Sequence, residues 1–290
     1  MRLCVTPADD LQAVFDAAQE GTEILLAAGI YRQKLMITTP GLTLTGSGAT
    51  ETVIVWDDHA KKPHPHGWEY NTFRTYTVAV CADGVTVKNL TIANDAGSPR
   101  TKGQEVALSV VADRFYTENC RLVSTQDTLF AGPLPSDLIG RYEGFLLDPL
   151  RRGGKLRQRF YDCLIEGSVD FIFGCGEAVF ENCEIRSVYD EGRVGFVAAP
   201  AHGKHRQEGF RFHSCRFTAE EAVAQGSVYL ARPWRDYGLA SFENCTYGSH
   251  IAPEGFDRWN DTNRDKTARL YEKPEIPGRV SWANPKEKAR

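Results

Sequence analysis

Phe180-Glu181-Asn182-Cys183-Glu184-Ile185 recurs along the chain in recognisable copies. Before it stand Val87-Lys88-Asn89-Leu90-Thr91-Ile92, Tyr116-Thr117-Glu118-Asn119-Cys120-Arg121-Leu122 and Phe160-Tyr161-Asp162-Cys163-Leu164-Ile165. After it stand Phe212-His213-Ser214-Cys215-Arg216-Phe217 and Phe242-Glu243-Asn244-Cys245-Thr246-Tyr247. Every copy puts a short polar residue before the Cys (or Leu90) and an apolar residue two positions after it. Intervals of 30, 43, 20, 32 and 30 residues separate the copies. A period in the range of about 20–50 residues, carried by short alternating β segments, signals a solenoid or a propeller. The WD-type signature of a propeller is missing, and few stretches between copies have helical periodicity. Unequal intervals fit a parallel β-helix, whose coils stack strand on strand while loops of variable length leave one face. A chance recurrence within a β-sandwich is the competing reading. In the solenoid the cysteines pack inside as small hydrophobes, and the Asn, Asp or Ser before each turns the corner between strands.

The N-terminus supplies a cap for such a stack. Asp9 and Asp10 precede Leu11, Val14, Phe15 and Ala18, an i, i+3, i+4, i+7 stripe that predicts an amphipathic helix near residues 9–19. Strands are expected at 23–27, 35–38, 42–45 and 53–56. Residues 131–155, rich in proline, glycine and arginine, read as a long surface loop, and 273–290 as a Pro- and charge-rich tail, packed along the outside or frayed. The whole chain, 1–290, reads as a single all-β domain.

Composition narrows the function. Thirty-four basic against 38 acidic residues give a net charge of −4, which argues against nucleic acid as a partner. No apolar run approaches the roughly 20 residues of a membrane helix. The first residues show no apolar signal region, so the expected location is the cytoplasm, or outside the cell if a leader was removed. No CxxC pair occurs among the 8 cysteines, which argues against zinc; free thiols are expected. A monomer is expected.

Chemistry on a solenoid needs side chains from successive coils. Asp127 follows the Cys120 corner, and Asp170 follows the Cys163 corner, at similar places in consecutive repeats. Two close carboxylates cannot both ionise easily, which yields one acid and one nucleophile or base. Asp170 lies among Val169, Phe171, Ile172 and Phe173, so its charge needs a partner. Arg232 is the candidate, and Trp234 offers a flat surface for a sugar ring.

Three ordered segments then show a family resemblance. Gln126-Asp127-Thr128-Leu129, Gly167-Ser168-Val169-Asp170-Phe171-Ile172-Phe173-Gly174 and Leu230-Ala231-Arg232-Pro233-Trp234 resemble the signature set of the pectin methylesterases. Lys102–Leu108 is similar to that family's Gln-Ala-Val-Ala-Leu stretch, and Ala28–Tyr31 to its Pro-Gly-x-Tyr. Similarity continues through Ile251–Phe256 and Trp259 to about residue 272. The resemblance implies a right-handed parallel β-helix with Asp170 as nucleophile and Asp127 as proton donor. It makes Gln104 and Gln126 the oxyanion donors, and Arg232 the residue that fixes the nucleophile. Trp234, Thr72, Phe130 and Phe173 match substrate-contacting or cleft-lining positions. Departures are Ala231 for Gly, Cys175-Gly176 for Asn-Ala, and a longer Asp127–Asp170 spacing whose excess is the 131–155 loop.

The implied reaction removes methyl esters from galacturonate residues of pectin or methylated oligogalacturonides, releasing methanol without metal or organic cofactor. Missing the secretory signal, the enzyme is expected to act on imported oligomers. The alternatives are a hydrolase or lyase of the polygalacturonate backbone, an esterase of another ester or thioester, and a non-catalytic carbohydrate-binding β-helix.

Overall fold

The computed structural model describes residues 1–97 and 99–285. Three parallel sheets, of 10, 8 and 7 strands among the described residues, wind into a right-handed parallel β-helix. Each complete coil gives one strand to each sheet in turn. One such coil runs through Thr86–Lys88, Thr91–Asn94 and Leu108–Val110.

The repeat read in the sequence is the corner between the first two strands of a coil. Asn89, Asn119, Asp162, Asn182, Ser214 and Asn244 all have φ between 50° and 55°. In this left-handed region a β-branched side chain would clash with its own carbonyl, whereas short polar residues tolerate it. The residues beside these corners fall into register. Phe160, Phe180, Phe212 and Phe242 are paired partners on adjacent strands, with ring centroids stacked 4.8, 4.6 and 4.7 Å apart. Cys120, Cys163, Cys183 and Cys215 are buried and Cys245 half-buried, all as free thiols. Sγ of Cys183, Cys215 and Cys245 each points at the carbonyl of the phenylalanine one coil back, Phe160, Phe180 and Phe212. Burial pushes the Cys120 thiol up to about 12, so it is a packing group rather than a nucleophile.

The cap is a helix over Leu11–Ala17, shorter than expected at both ends. Asp10 caps it by accepting from the Ala13 amide at 3.0 Å, and Leu11 and Phe15 are buried on the core. A strand at Arg2–Val5 pairs with Glu23–Leu26 and starts the 10-stranded sheet ahead of the helix; its alternation was too short to stand out in the sequence. No helix among the described residues is long and apolar enough to cross a membrane.

One expectation needs correction. The 131–155 stretch is not a bare loop. It carries helical turns at Ser136–Arg141 and Asp148–Arg151, and buries Leu134, Leu138, Leu146 and Leu150 against the outer face of the 7-stranded sheet. The tail takes the packed form of the two expected: Val280, Trp282 and Ala283 pack on the core, and Arg279 makes a buried ion pair with Glu272 at 2.7 Å. Residues 286–290, the end of the expected tail, lie outside the described residues.

Candidate active site

The 7-stranded sheet sets the two aspartates side by side. Leu129 pairs with Ile172, and Gln126 bridges to Val169, so Asp127 and Asp170 face one another across neighbouring strands. The Asp127 amide donates to the Val169 carbonyl at 3.1 Å. Strands in a sheet are about 4.8 Å apart, which brings the two carboxyl groups within strong electrostatic reach. Both residues have left-handed backbone, with φ of 63° for Asp127 and 49° for Asp170. Short polar side chains tolerate this region, as they do at the coil corners.

Arg232 arrives from the end of the Val228–Ala231 strand and grips Asp170 with two parallel bonds, Nε to Oδ1 at 2.8 Å and Nη2 to Oδ2 at 2.6 Å. Its guanidinium is sandwiched between the rings of Phe196 and Trp259, 3.8 and 4.1 Å from their centroids. That packing leaves the fork one direction to point. Burial raises both carboxyl pKa values. For Asp170 the Arg232 bonds and charge oppose the rise. For Asp127 the neighbouring Asp170 charge adds to it, and the group sits well above the carboxylate range. Asp170 therefore ionises first while Asp127 keeps its proton.

Gln104 and Gln126 lie in adjacent coils, tied by the Glu105 amide donating to the Gln126 carbonyl at 3.0 Å. Both line the cleft with the aspartates, and so do Thr72, Phe173 and Trp234. Phe130, expected as a cleft residue, does not reach it. It is covered by Phe73 and lies beside its register partner Phe173, with ring centroids 5.1 Å from each.

Several cleft groups escaped the sequence reading. Tyr142 lines the cleft from within the 131–155 stretch, and Asn71 and Trp259 line it too. Arg193 donates to Gln126 Oε1 at 3.2 Å and pairs with Asp190 at 3.0 Å, and Asp190 accepts from Ser168 at 3.2 Å. Holding the carbonyl end of that amide turns the N–H end toward the cleft. No local motif marks Arg193, because its partner lies 67 residues away.

Glu105 is the other surprise. It stands where the family's Gln-Ala-Val-Ala-Leu stretch has alanine, is 1% exposed, and has one carboxyl oxygen without a partner. Burial pushes its pKa up to about 8. A carboxyl raised in the folded state costs stability as pH climbs through its unfolded value, until it ionises in the fold as well. Glu105→Gln should therefore raise the melting temperature by several degrees at pH 8–9 and hardly change it near pH 4. Thermal unfolding at both pH values checks this.

Comparison with known proteins meets the same residues. The Pectinesterase family model matches residues 4–133 and 153–286. Among relatives, Pectinesterase QRT1 of Arabidopsis thaliana is 29% identical over 96% of this chain and 69% of its own length. Pectinesterase 31 of the same plant is 31% identical over 87% and 72%. Of solved structures, pectin methylesterase from carrot superposes with a TM-score of 0.81 at 24% identity, covering 97% of this chain and 86% of its own. That from Yersinia enterocolitica gives 0.77 at 27% identity, covering 94% and 93%. A pectin methylesterase in complex with a hexasaccharide gives 0.73 at 25%, covering 91% and 84%. With its fold, its family model and its relatives in agreement, this chain belongs to the pectinesterase family and is an esterase.

Proposed function

We propose that this pectinesterase cleaves the methyl esters of galacturonate residues with Asp170 as nucleophile and Asp127 as proton donor. The observation that carries the assignment is a carboxylate gripped by Arg232 beside a second, proton-holding carboxyl one coil away. An Asp170 oxygen attacks the ester carbonyl carbon, and amide N–H groups of Gln104 and Gln126 receive the developing oxyanion. As the tetrahedral centre collapses, the carbon–methoxide bond breaks and Asp127 delivers its proton, giving methanol. Water then attacks the acyl-enzyme, Asp127 takes the proton back, and the free galacturonate leaves as Asp170 is restored.

A related enzyme solved with a hexasaccharide supports an oligosaccharide in this cleft, where Trp234 offers a stacking surface. Eight free thiols support a reducing compartment as the place of work, and hence methylated oligogalacturonides as substrates there. Methanol release from methylated oligogalacturonides, without unsaturated or new reducing-end products, is the expected result; chain cleavage would overturn the reading.

The oxyanion assignment has its own signature. Gln126→Ala should lower kcat by about 10²–10³ with KM little changed, because an oxyanion donor acts mainly in the transition state. Arg193→Ala, which frees the amide without removing it, should cost about tenfold in kcat with the same flat KM. Steady-state kinetics on one methylated oligomer separate the two.

A further inference from the structure

The backbone bonds that set the two aspartates side by side continue past them toward the N-terminal coils. The Asp127 amide donates to the Val169 carbonyl, and the Glu105 amide to the Gln126 carbonyl. One coil further, the Ala60 amide donates to the Gln104 carbonyl at 2.9 Å, and the Asn71 amide to the Ala60 carbonyl at 2.9 Å. Three strand spacings of about 4.8 Å carry this ladder roughly 14 Å from the Asp170 strand to Ala60 and Asn71.

Between Ala60 and Asn71 the chain leaves the coil as a hairpin over residues 61–70. Pro63 bridges to Glu69, the Tyr70 amide donates to the Lys62 carbonyl at 2.9 Å, and the His64 amide to the Trp68 carbonyl at 2.6 Å. At the tip the Gly67 amide donates to the His64 carbonyl at 2.9 Å, with a φ of 87° that suits glycine. The rings of His64 and Tyr70 lie 5.2 Å apart. Lys34 and Lys62 both lie over the Tyr70 ring and both bind Asp58 at 2.5 Å, which fixes the base. Both feet of the hairpin stand on the cleft rim: Asn71 lines the cleft, and Ala60 is bonded to Gln104, which lines it too.

Trp68, on this hairpin, is 62% exposed, more than any other large aromatic among the described residues. A lone exposed apolar side chain is ordinary on a surface. This one is an indole on a braced support, three residues from Asn71, so its Cα lies within about 11 Å of the rim. The cleft itself encloses about 350 Å³, near the low end of the roughly 300–1,000 Å³ of ligand pockets. A polysaccharide outgrows such a cavity, and its further sugar residues rest on whatever flanks it.

We propose that Trp68 is a remote subsite, stacking on a galacturonate ring of a chain that runs from the two aspartates along the ladder to the hairpin. This subsite rests on the esterase reading above. The indole meets a sugar several units from the ester under attack, so it stabilises ground and transition states alike, and only in chains long enough to reach it.

The test compares fully methyl-esterified trigalacturonate with the decamer. Trp68→Ala should lower the decamer-to-trimer ratio of kcat/KM at least about fivefold, through a higher KM for the decamer with kcat little changed. Trp68→Tyr, which keeps a flat ring, should restore most of that ratio. An unchanged ratio in Trp68→Ala would overturn the proposal. So would an equal loss on both substrates, the mark of a residue that only supports the fold. No methanol from either substrate with the parent enzyme would instead bring down the esterase reading itself.

Discussion

Asp170→Asn should lower turnover by at least about a hundredfold, and Asp127→Asn by a similar factor, while their effects on stability run in opposite directions. Asparagine keeps the shape of each side chain and tolerates left-handed backbone, so the coils should remain stacked. At Asp170 the substitution removes the nucleophile and strips Arg232 of its bidentate partner in a nearly water-free setting. Breaking one half of a buried ion pair typically costs about 3–5 kcal/mol, less here because the amide oxygen still accepts one bond. The melting temperature should fall. At Asp127 the substitution removes a carboxyl that burial and the Asp170 charge hold well above its ordinary value. Such a group costs stability once pH exceeds its unfolded value, and the cost is absent below it. Asp127→Asn should thus melt higher than the parent at pH 7, with the gap closing toward pH 3. Two inactive variants that shift the melting temperature in opposite directions identify which carboxyl is charged. Retention of activity within tenfold of the parent by either would end the assignment.

Removal of Arg232 should move the acid limb of the pH–rate profile upward by at least about one unit. Reaction requires ionised Asp170, and Arg232 opposes the rise that burial imposes on its pKa. Without the guanidinium that rise goes unopposed, so a larger fraction of the enzyme is protonated and silent at mildly acid pH. A one-unit shift corresponds to about 1.4 kcal/mol and a tenfold loss of rate on the acid side. Part of the loss should return as pH increases, until the alkaline limb set by Asp127 intervenes. Arg232→Lys should fall between, because an ammonium keeps the charge but loses the two-point grip and the fit between Phe196 and Trp259. Rate measurements on a methylated oligomer over a broad pH range decide the matter. Substantial activity with an unmoved acid limb would reduce Arg232 to a structural part.

The sequence revealed the coils because a coil corner is a local event. Asn182 and Cys183 report backbone angle and inward packing with two adjacent letters, and the same pair recurs wherever the corner does. Asp127 and Asp170 were legible for a related reason: they keep a constant offset from a corner, so equal offsets mean neighbouring strands. What stayed hidden depends on contacts between distant segments. Tyr142 becomes a cleft residue only because its helical turn folds back onto Phe73, and Arg193 acquires a role only through Gln126. Phe130 went wrong by one layer. Resemblance placed it near the site, but depth beneath Phe73 is a packing property that spacing does not encode. The Leu134, Leu138, Leu146 and Leu150 anchors were masked by the prolines, glycines and arginines around them.

The stacked phenylalanines carry one more consequence. The strands of each coil pair only with those of the coils above and below, so backbone cohesion is passed along the axis link by link rather than shared by one globular core. Gln104, Gln126 and the two aspartates occupy the middle of this column, well away from the helix over Leu11–Ala17, whereas Arg232 follows Val228–Ala231, the last strand of the 7-stranded sheet, and stacks on Trp259 beyond it. Fraying that starts at the N-terminal coil can therefore proceed some distance before the catalytic geometry feels it, while loosening of the C-terminal coils reaches Arg232 early. Activity is thus a gauge of the C-terminal half of the column more than of its beginning.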